Sequence, residues 1–459
     1  MLFSLKNKIF ILTIQVKEFL MNKKATIAFL ILSFNALPLF AGTGTTNSDT
    51  INTGDTAWLL ISTALVFLMV PSLAFFYGGL VRRKNILSVL MQCFAIMCVV
   101  SLVWMIIGYS IAFGPDWRGI AGKLTWAFLN GVTTEPFLGY AANVPHYGFM
   151  IFQNMFAIIT PALIIGAFAE RMRFMPFMFF TILWSIFIYS PTAHWVWGIG
   201  GWLRNYGALD FAGGTVVHVN AGAAALASAI VLGKRTGYPC KISPPHNLPF
   251  AVLGAGLLWF GWFGFNAGSA LAANGLATNA FVVTQIAAAA AGTSWMIVDF
   301  FVNNKATVLG IITGAVAGLV AITPAAGFVN PASALVIGFG AGVICYFFVS
   351  YVKVKVGYDD ALDAFGVHGI GGLWGSFATG LFATKAINPA GTDGLFYGNP
   401  SLLLTQMGTS LIVGVYSFLA SLFFLKAIDF LIGLRITERN EHIGLDLVEH
   451  SETGYTIID

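Results

Sequence analysis

From residue 57 onward the chain is a succession of long apolar runs separated by short polar breaks. The runs cover roughly 57–80, 86–113, 148–169, 174–196, 212–232, 249–272, 280–302, 307–323, 331–352, 363–384 and 401–433. An α-helix needs about 20 apolar residues to cross a bilayer. The pattern therefore predicts an all-α integral membrane protein with eleven transmembrane helices. The breaks carry unequal charge. Those after odd-numbered runs, together with the tail, hold 13 Lys and Arg, among them Arg82, Arg83, Arg171, Lys234, Arg235 and Arg435. Those after even-numbered runs hold only Arg118, Lys123, Arg204 and Lys385. Cytoplasmic loops collect Lys and Arg. The C-terminus is thus expected inside and the start of the first run outside.

Ahead of the runs, Met21 opens a second beginning, MNKKATIAFLILSFNALPLFAG. Lys23 and Lys24 form a basic region, Ala25 to Phe34 a short apolar core, and Leu39-Phe40-Ala41 a small-residue site. That is the layout of a secretory signal peptide. Residues 1–41 are expected to be a misassigned start plus a cleaved signal, with an uncleaved first helix as the alternative. The membrane domain is expected at 55–433, followed by a polar cytoplasmic tail at 434–459.

Composition narrows the class. Hydrophobic residues make up 58% of the 459, Asp, Glu, Lys and Arg only 9%, and the mean hydropathy is +0.82. About a quarter of an ordinary soluble domain is charged, so a soluble globule is excluded. A nucleic-acid binder, which needs a basic face, is excluded as well. Without residues 1–41 the net charge is zero, so the basic balance says nothing about partners. Cys93, Cys98, Cys240 and Cys345 lack metal spacing and are expected to be packing residues. No nucleophile–base pair or cofactor motif appears, so neither an enzyme nor a cofactor is expected.

Ionisable groups at bilayer depth are expensive and mark function by default. His218 lies in the fifth run among Gly213, Gly214 and Gly222, and His368 in the tenth among Gly366, Gly369, Gly371 and Gly372. Each is preceded by Val and followed four residues later by Gly. Eleven runs divide as five, five and one, and an odd-membered repeat inserts twice in opposite orientations. The two histidines would then stand at matching points of an inverted 5+5 repeat, as a shared functional pair or as two packing residues. Asp210 and Asp363 stand at the starts of these two runs. Each is read as a cation ligand or, preferentially, as a helix cap. Asp299 and His194 lie near run ends and are read as structural.

Five stretches go further: AFFYGGLVRRKN (74–85), GAFAERMRF (166–174), DFAGGTVVHVNAG (210–222), GWFGFNAGSA (261–270) and DALDAFGVHGIGG (360–372). In order and without large gaps, the chain from about 55 to 450 resembles the Amt/Mep/Rh ammonium transporter family, most closely its bacterial Amt members. The resemblance implies a homotrimer in the inner (plasma) membrane with one pore per subunit. It implies recruitment of ammonium at Trp197, Phe156, Ser269 and, in support, Asp210. It further implies a gate of Phe156 and Phe265, and a pore lined by His218 and His368. The tail GLRITERNEHIGLDLVEH (433–450) resembles the family's regulatory tail, which implies a PII-type signalling protein as partner at the cytoplasmic face.

These residue types suit the ion. Ammonium has nearly the size of potassium but carries four N–H donors. Aromatic faces attract a cation by about 0.5–2 kcal/mol, and a serine oxygen rewards a donor. A narrow apolar pore penalises a bare cation, which ammonium escapes by giving up a proton and potassium cannot.

Overall fold

The computed structural model describes residues 51–240 and 244–455. The start-site and signal-peptide expectations lie outside the described residues. Among the described residues nine helices are long and apolar enough to cross a membrane: Thr53–Leu80, Arg83–Phe113, His146–Phe168, Phe174–Asn205, Gly214–Leu232, Leu248–Ala270, Gly275–Asn303, Pro331–Val356 and Pro400–Ile432. Val308–Ile322 is a shorter apolar helix of 15 residues. The run expected at 363–384 is helical from Phe365, where a π-turn over Phe365–Gly369 passes into Ile370–Phe382. Its glycines and His368 dilute its apolar character.

Local chemistry sets the helix starts. Asn52, Asn274, Asn330 and Asn399 each accept a backbone N–H from the first turn that follows. Such a cap satisfies donors that the helix cannot. The run expected from 280 therefore begins at Gly275, directly after the Asn274 cap. Pro331 and Pro400 open their helices at positions where no N–H is needed. The all-α expectation misses one detail. Between the second and third long helices, two small antiparallel hairpins pair Asp116–Trp117 with Ala121–Gly122 and Pro136–Phe137 with Ala141–Pro145.

Burial sorts the helices into a centre and a periphery. The most apolar stretch of His146–Phe168 is 89% buried and that of Gly214–Leu232 83%, against 28% for Pro400–Ile432. A helix so apolar and so exposed has lipid or another apolar surface as its neighbour. At the centre the fifth long helix crosses 365–382 with almost no side chain between them. A Cβ on Gly222 would lie 2.3 Å from the Cα of Gly369. Small residues allow this approach where tight packing, not water exclusion, drives helix association. All four cysteines are free. Cys93 and Cys345 are buried, whereas Cys98 and Cys240 are exposed, so the packing expectation fits only the first two.

The tail folds back on the membrane domain through two short helices, Glu438–Ile443 and Leu445–His450. Glu441 is 1% exposed. Its carboxylate accepts the Thr236 N–H (2.8 Å) and pairs with Arg435 (3.1 Å) and Arg82 (3.5 Å). Asn85 accepts the Leu445 N–H, and Asp446 accepts the Ser88 N–H. Beneath this lies Glu170, paired with Arg82 at 2.9 Å and Arg235 at 3.3 Å. Burial works to raise the Glu170 carboxyl, but Arg82 and Arg235 outweigh it and hold it below its ordinary value. Asp359 is likewise held down by Arg235 against its burial. Each carboxylate is paired, as buried charge requires.

Candidate functional site

A line of cavities runs through the centre. On the side away from the tail, a 460 Å³ vestibule is lined by Phe156, Trp197, Asp210 and Ser269, together with Gln153 and Arg204. On the tail side, a 580 Å³ vestibule is lined by Phe76, Tyr77, Asp299, Asp363 and His368. Between them lies a lumen of 10 Å³ bounded by Phe265, His218, His368, Trp262, Val316 and Leu258. That is space for about one water-sized molecule. All seven residues given site roles by the resemblance thus line one of these three cavities.

The first vestibule is held by backbone. The Trp197 indole N–H donates to the carbonyl of Asp210 (2.8 Å), which fixes the ring over the opening. Phe156 meets it edge-on, with centroids 5.8 Å apart at 86°. Ser269 spends its hydroxyl proton on the Phe265 carbonyl (2.8 Å). What it presents is therefore oxygen lone pairs, the acceptor that a donor cation needs. The Asp210 carboxylate makes cap bonds. It accepts N–H groups from Gly213, Gly214, Thr215 and Val216 at 2.6–3.0 Å. The chain folds round it because Gly213 takes φ +117°, which suits glycine.

Phe156 and Phe265 close the floor of this vestibule, with centroids 4.4 Å apart. Below them the His218 and His368 rings lie 16° from parallel, with Nδ1 atoms 3.3 Å apart, just beyond the 2.7–3.2 Å of an ordinary hydrogen bond. Both histidines sit in π-turns, Gly214–Val219 and Phe365–Gly369. One proton between two neutral imidazoles sets both tautomers. The ring that donates Nδ1–H keeps a lone pair on Nε2, and its partner carries N–H there. The His218 Nε2 has no protein partner. Trp262 stacks on His218 at 5.4 Å, and its indole N–H is turned away to Thr323 (2.9 Å). Apart from the imidazoles, the lumen wall is apolar.

Asp363 does not cap its helix. It takes φ +62° and pairs with Lys353. The cap is Asp360, which accepts N–H groups from Ala364 (3.1 Å) and Phe365 (2.7 Å). Burial, with the Asp363 charge beside it, pushes the Asp360 carboxyl up to about 6. Asp299 accepts from Thr307 (2.6 Å) and also faces the tail-side vestibule.

Comparison with known proteins gives the family. The family model described as Ammonium Transporter Family matches residues 57–455. The chain belongs to the ammonium transporter family. It is 51% identical over 402 residues to the ammonium transporter of Bacillus subtilis, covering 88% of this chain and 98% of that one. It is 48% identical over 403 residues to ammonium transporter Amt1 of Archaeoglobus fulgidus, covering 88% and 99%. Among solved structures it is similar to Mep2 of Candida albicans, with a TM-score of 0.81, 36% identity, and 86% and 89% of the two chains covered. It is also similar to a protein titled Sensor Amt Protein, with a TM-score of 0.81, 31% identity, and 88% and 100% covered. The chain is a multi-pass membrane protein of ammonium transport and not an enzyme.

Sequence reasoning missed three residues of this arrangement. Asp360 precedes His368 by eight residues, the same interval as Asp210 to His218, and that repeat was the available signal. Trp262 lies one turn before Phe265 but is hidden by the abundance of aromatics. Arg204, whose guanidinium donates to the Trp197 carbonyl (2.6 Å), reads in the sequence only as one loop charge.

Proposed function

We propose that this ammonium transporter recruits NH4+ in the Trp197 vestibule, strips it of a proton near the Phe156–Phe265 gate, and passes NH3 along the His218–His368 lumen. The observation that carries the reading is the lumen, a narrow passage of 10 Å³ whose described lining is apolar apart from two imidazoles. A cation entering it loses hydration that the wall does not replace. Neutral NH3 can donate to the free Nε2 lone pair of one ring and accept from the N–H of the other. Trp197 and Phe156 supply aromatic faces to the cation beforehand, and the Ser269 oxygen accepts one of its N–H groups.

Several wider features belong to this reading. Val308–Ile322 and 365–382 complete a set of eleven spans arranged as an inverted 5+5 repeat plus one. Matching Asp-to-His intervals and π-turns in the two halves support it. The tail face is cytoplasmic, as the charge on its loops favours, and the Trp197 vestibule opens outside the plasma membrane. The subunit assembles as a homotrimer. The docked tail offers a PII-type protein its landing place, and the likeness to a sensor Amt protein favours a signalling role for that face.

The test is ammonium-dependent current and NH3 flux in vesicles holding the purified protein. Saturable ammonium flux with potassium excluded is expected. Equal conduction of potassium would overturn the deprotonation step.

A further inference from the structure

Three residues before Trp197, on the same helix Ser190–Trp197, a histidine is closed off entirely. His194 is 0% exposed and lines neither vestibule. Both its ring nitrogens meet acceptors. Nδ1 lies 3.0 Å from the carbonyl oxygen of Ala112, and Nε2 lies 2.9 Å from Oδ1 of Asp116. A carbonyl donates nothing, and neither does an ionised carboxylate. A neutral imidazole has one N–H and satisfies only one of the two. Both bonds form together when the ring is an imidazolium with the carboxylate as counter-ion, a charge-assisted pair.

We propose that His194 is a buried imidazolium that, with Asp116, clamps the end of the helix from which Trp197 projects and so positions the recruitment lid. This rests on the recruitment reading given above. Asp116 joins three segments. Besides His194 it accepts the Gly119 N–H (2.8 Å) within its own hairpin, and Trp202 N–H then donates to the Gly119 carbonyl (3.2 Å). A Cβ on Gly200 would lie 2.5 Å from the Asp116 Cβ, so hairpin and post-Trp197 loop are in direct contact. The helix ends where Gly198 N–H bonds back to His194 and Ala193. Trp197 is then held at its ring by Asp210 and at its carbonyl by Arg204, while the turn behind it is held by the ion pair. The other charged or titratable groups at this end are Tyr140, which accepts the Ile199 N–H and donates to Phe113; Arg204; Arg118 and Lys123 of the hairpin segment; and Asp210 beside Trp197. His194 and Asp116 line neither vestibule and make no hydrogen bond to the Trp197 side chain, so they are positioning residues.

Two measurements test this on the full chain in vesicles. In protein labelled with 15N-histidine, a histidine with both ring nitrogens protonated is expected at neutral pH, and His194→Gln removes that signal. In flux assays, Trp197→Leu is expected to raise the half-saturating ammonium concentration by roughly two- to thirtyfold, the span of a lost cation–π contact. His194→Gln and Asp116→Asn are expected to raise it by no more than that, with maximal flux per protein kept, and the double variant to match the singles. A neutral-imidazole signature for His194 overturns the proposal. So does an unchanged half-saturation in both variants beside a raised one in Trp197→Leu, or a fall in maximal flux alone. If His194→Gln does not fold, Asp116→Asn, on a partly exposed side chain, carries the flux test. If Trp197→Leu itself leaves half-saturation unchanged, the recruitment reading fails instead, and the nitrogen signature still decides the clamp.

Discussion

Asp360 repeats Asp210. Each lies eight residues ahead of a lumen histidine, and each turns its carboxylate onto the amides that open a π-turned helix, four for Asp210 and two for Asp360. Such amides need a partner wherever water is excluded. The histidines stand where they do because a fixed carboxylate, eight residues earlier, anchors each helix start.

The unequal bond counts give a ranking. Asn has one acceptor oxygen, so Asp210→Asn strands two buried N–H groups and Asp360→Asn one. Each stranded group costs about 1–3 kcal/mol. Thermal unfolding in detergent should therefore drop further for Asp210→Asn than for Asp360→Asn. Equal drops would mean that the amides are satisfied in another way.

Much of this site was legible from the chain because membranes make polar residues conspicuous. His218 and His368 stand out among apolar neighbours, and the carboxylate nearest each was the natural cap. That rule found Asp210 and chose Asp363 over Asp360. It failed because Asp363 sits in a left-handed turn facing Lys353, ten residues earlier on another helix, and such a pairing exists only in three dimensions. Trp262 was hidden for the opposite reason: an aromatic among many carries no signal until its neighbour His218 is known. Helix existence was read well and helix ends less well, since the Asn274 cap lay outside the apolar run.

Trp197 and Phe265 act at different depths and should fail differently. On the proposed recruitment role, Trp197→Leu removes a cation–π face outside the barrier and should weaken discrimination and uptake at low ammonium more than maximal flux. Phe265→Ala opens the 4.4 Å contact with Phe156 yet removes a wall of the lumen, so maximal flux should fall. Flux measured across a range of ammonium concentrations separates the two. An unaltered concentration dependence in Trp197→Leu would place recruitment elsewhere.

The tail is bolted on rather than solvated. Glu441→Ala leaves Arg82 and Arg435 without their shared carboxylate, and losing hydrogen bonds to charged groups costs about 1.5–3 kcal/mol. Protease added to the tail face should cut this variant faster than the parent, and, on the proposed signalling role of the tail, ammonium flux should persist with altered regulation. The pH response follows from Glu170. Its carboxyl titrates below the ordinary 4.5, so its contribution is present above that value and is lost only as pH falls through the lower, folded value. Tail protection should hold through neutral and mildly acidic pH and fail in stronger acid. Loss of protection already near neutrality would point to a different anchor.

The histidine pair makes the sharpest test. The two rings, 3.3 Å apart at Nδ1, are the only polar groups in a lumen with room for about one small molecule. Replacing both with apolar residues leaves NH3 with no partner along the path, and normal ammonium transport should be abolished. A carboxylate at one position acts differently. In His218→Glu it still accepts a hydrogen bond from His368, but its charge offsets the cost of a bare cation. On the proposed deprotonation step, ammonium then no longer needs to shed its proton, and potassium, which has none to shed, should be admitted. The expected signature is current that persists with selectivity lost. Ammonium and potassium currents compared across the parent, the double apolar variant and His218→Glu check this. Wild-type rate and selectivity in the double apolar variant would make the histidines packing residues and move the source of discrimination to the gate above them.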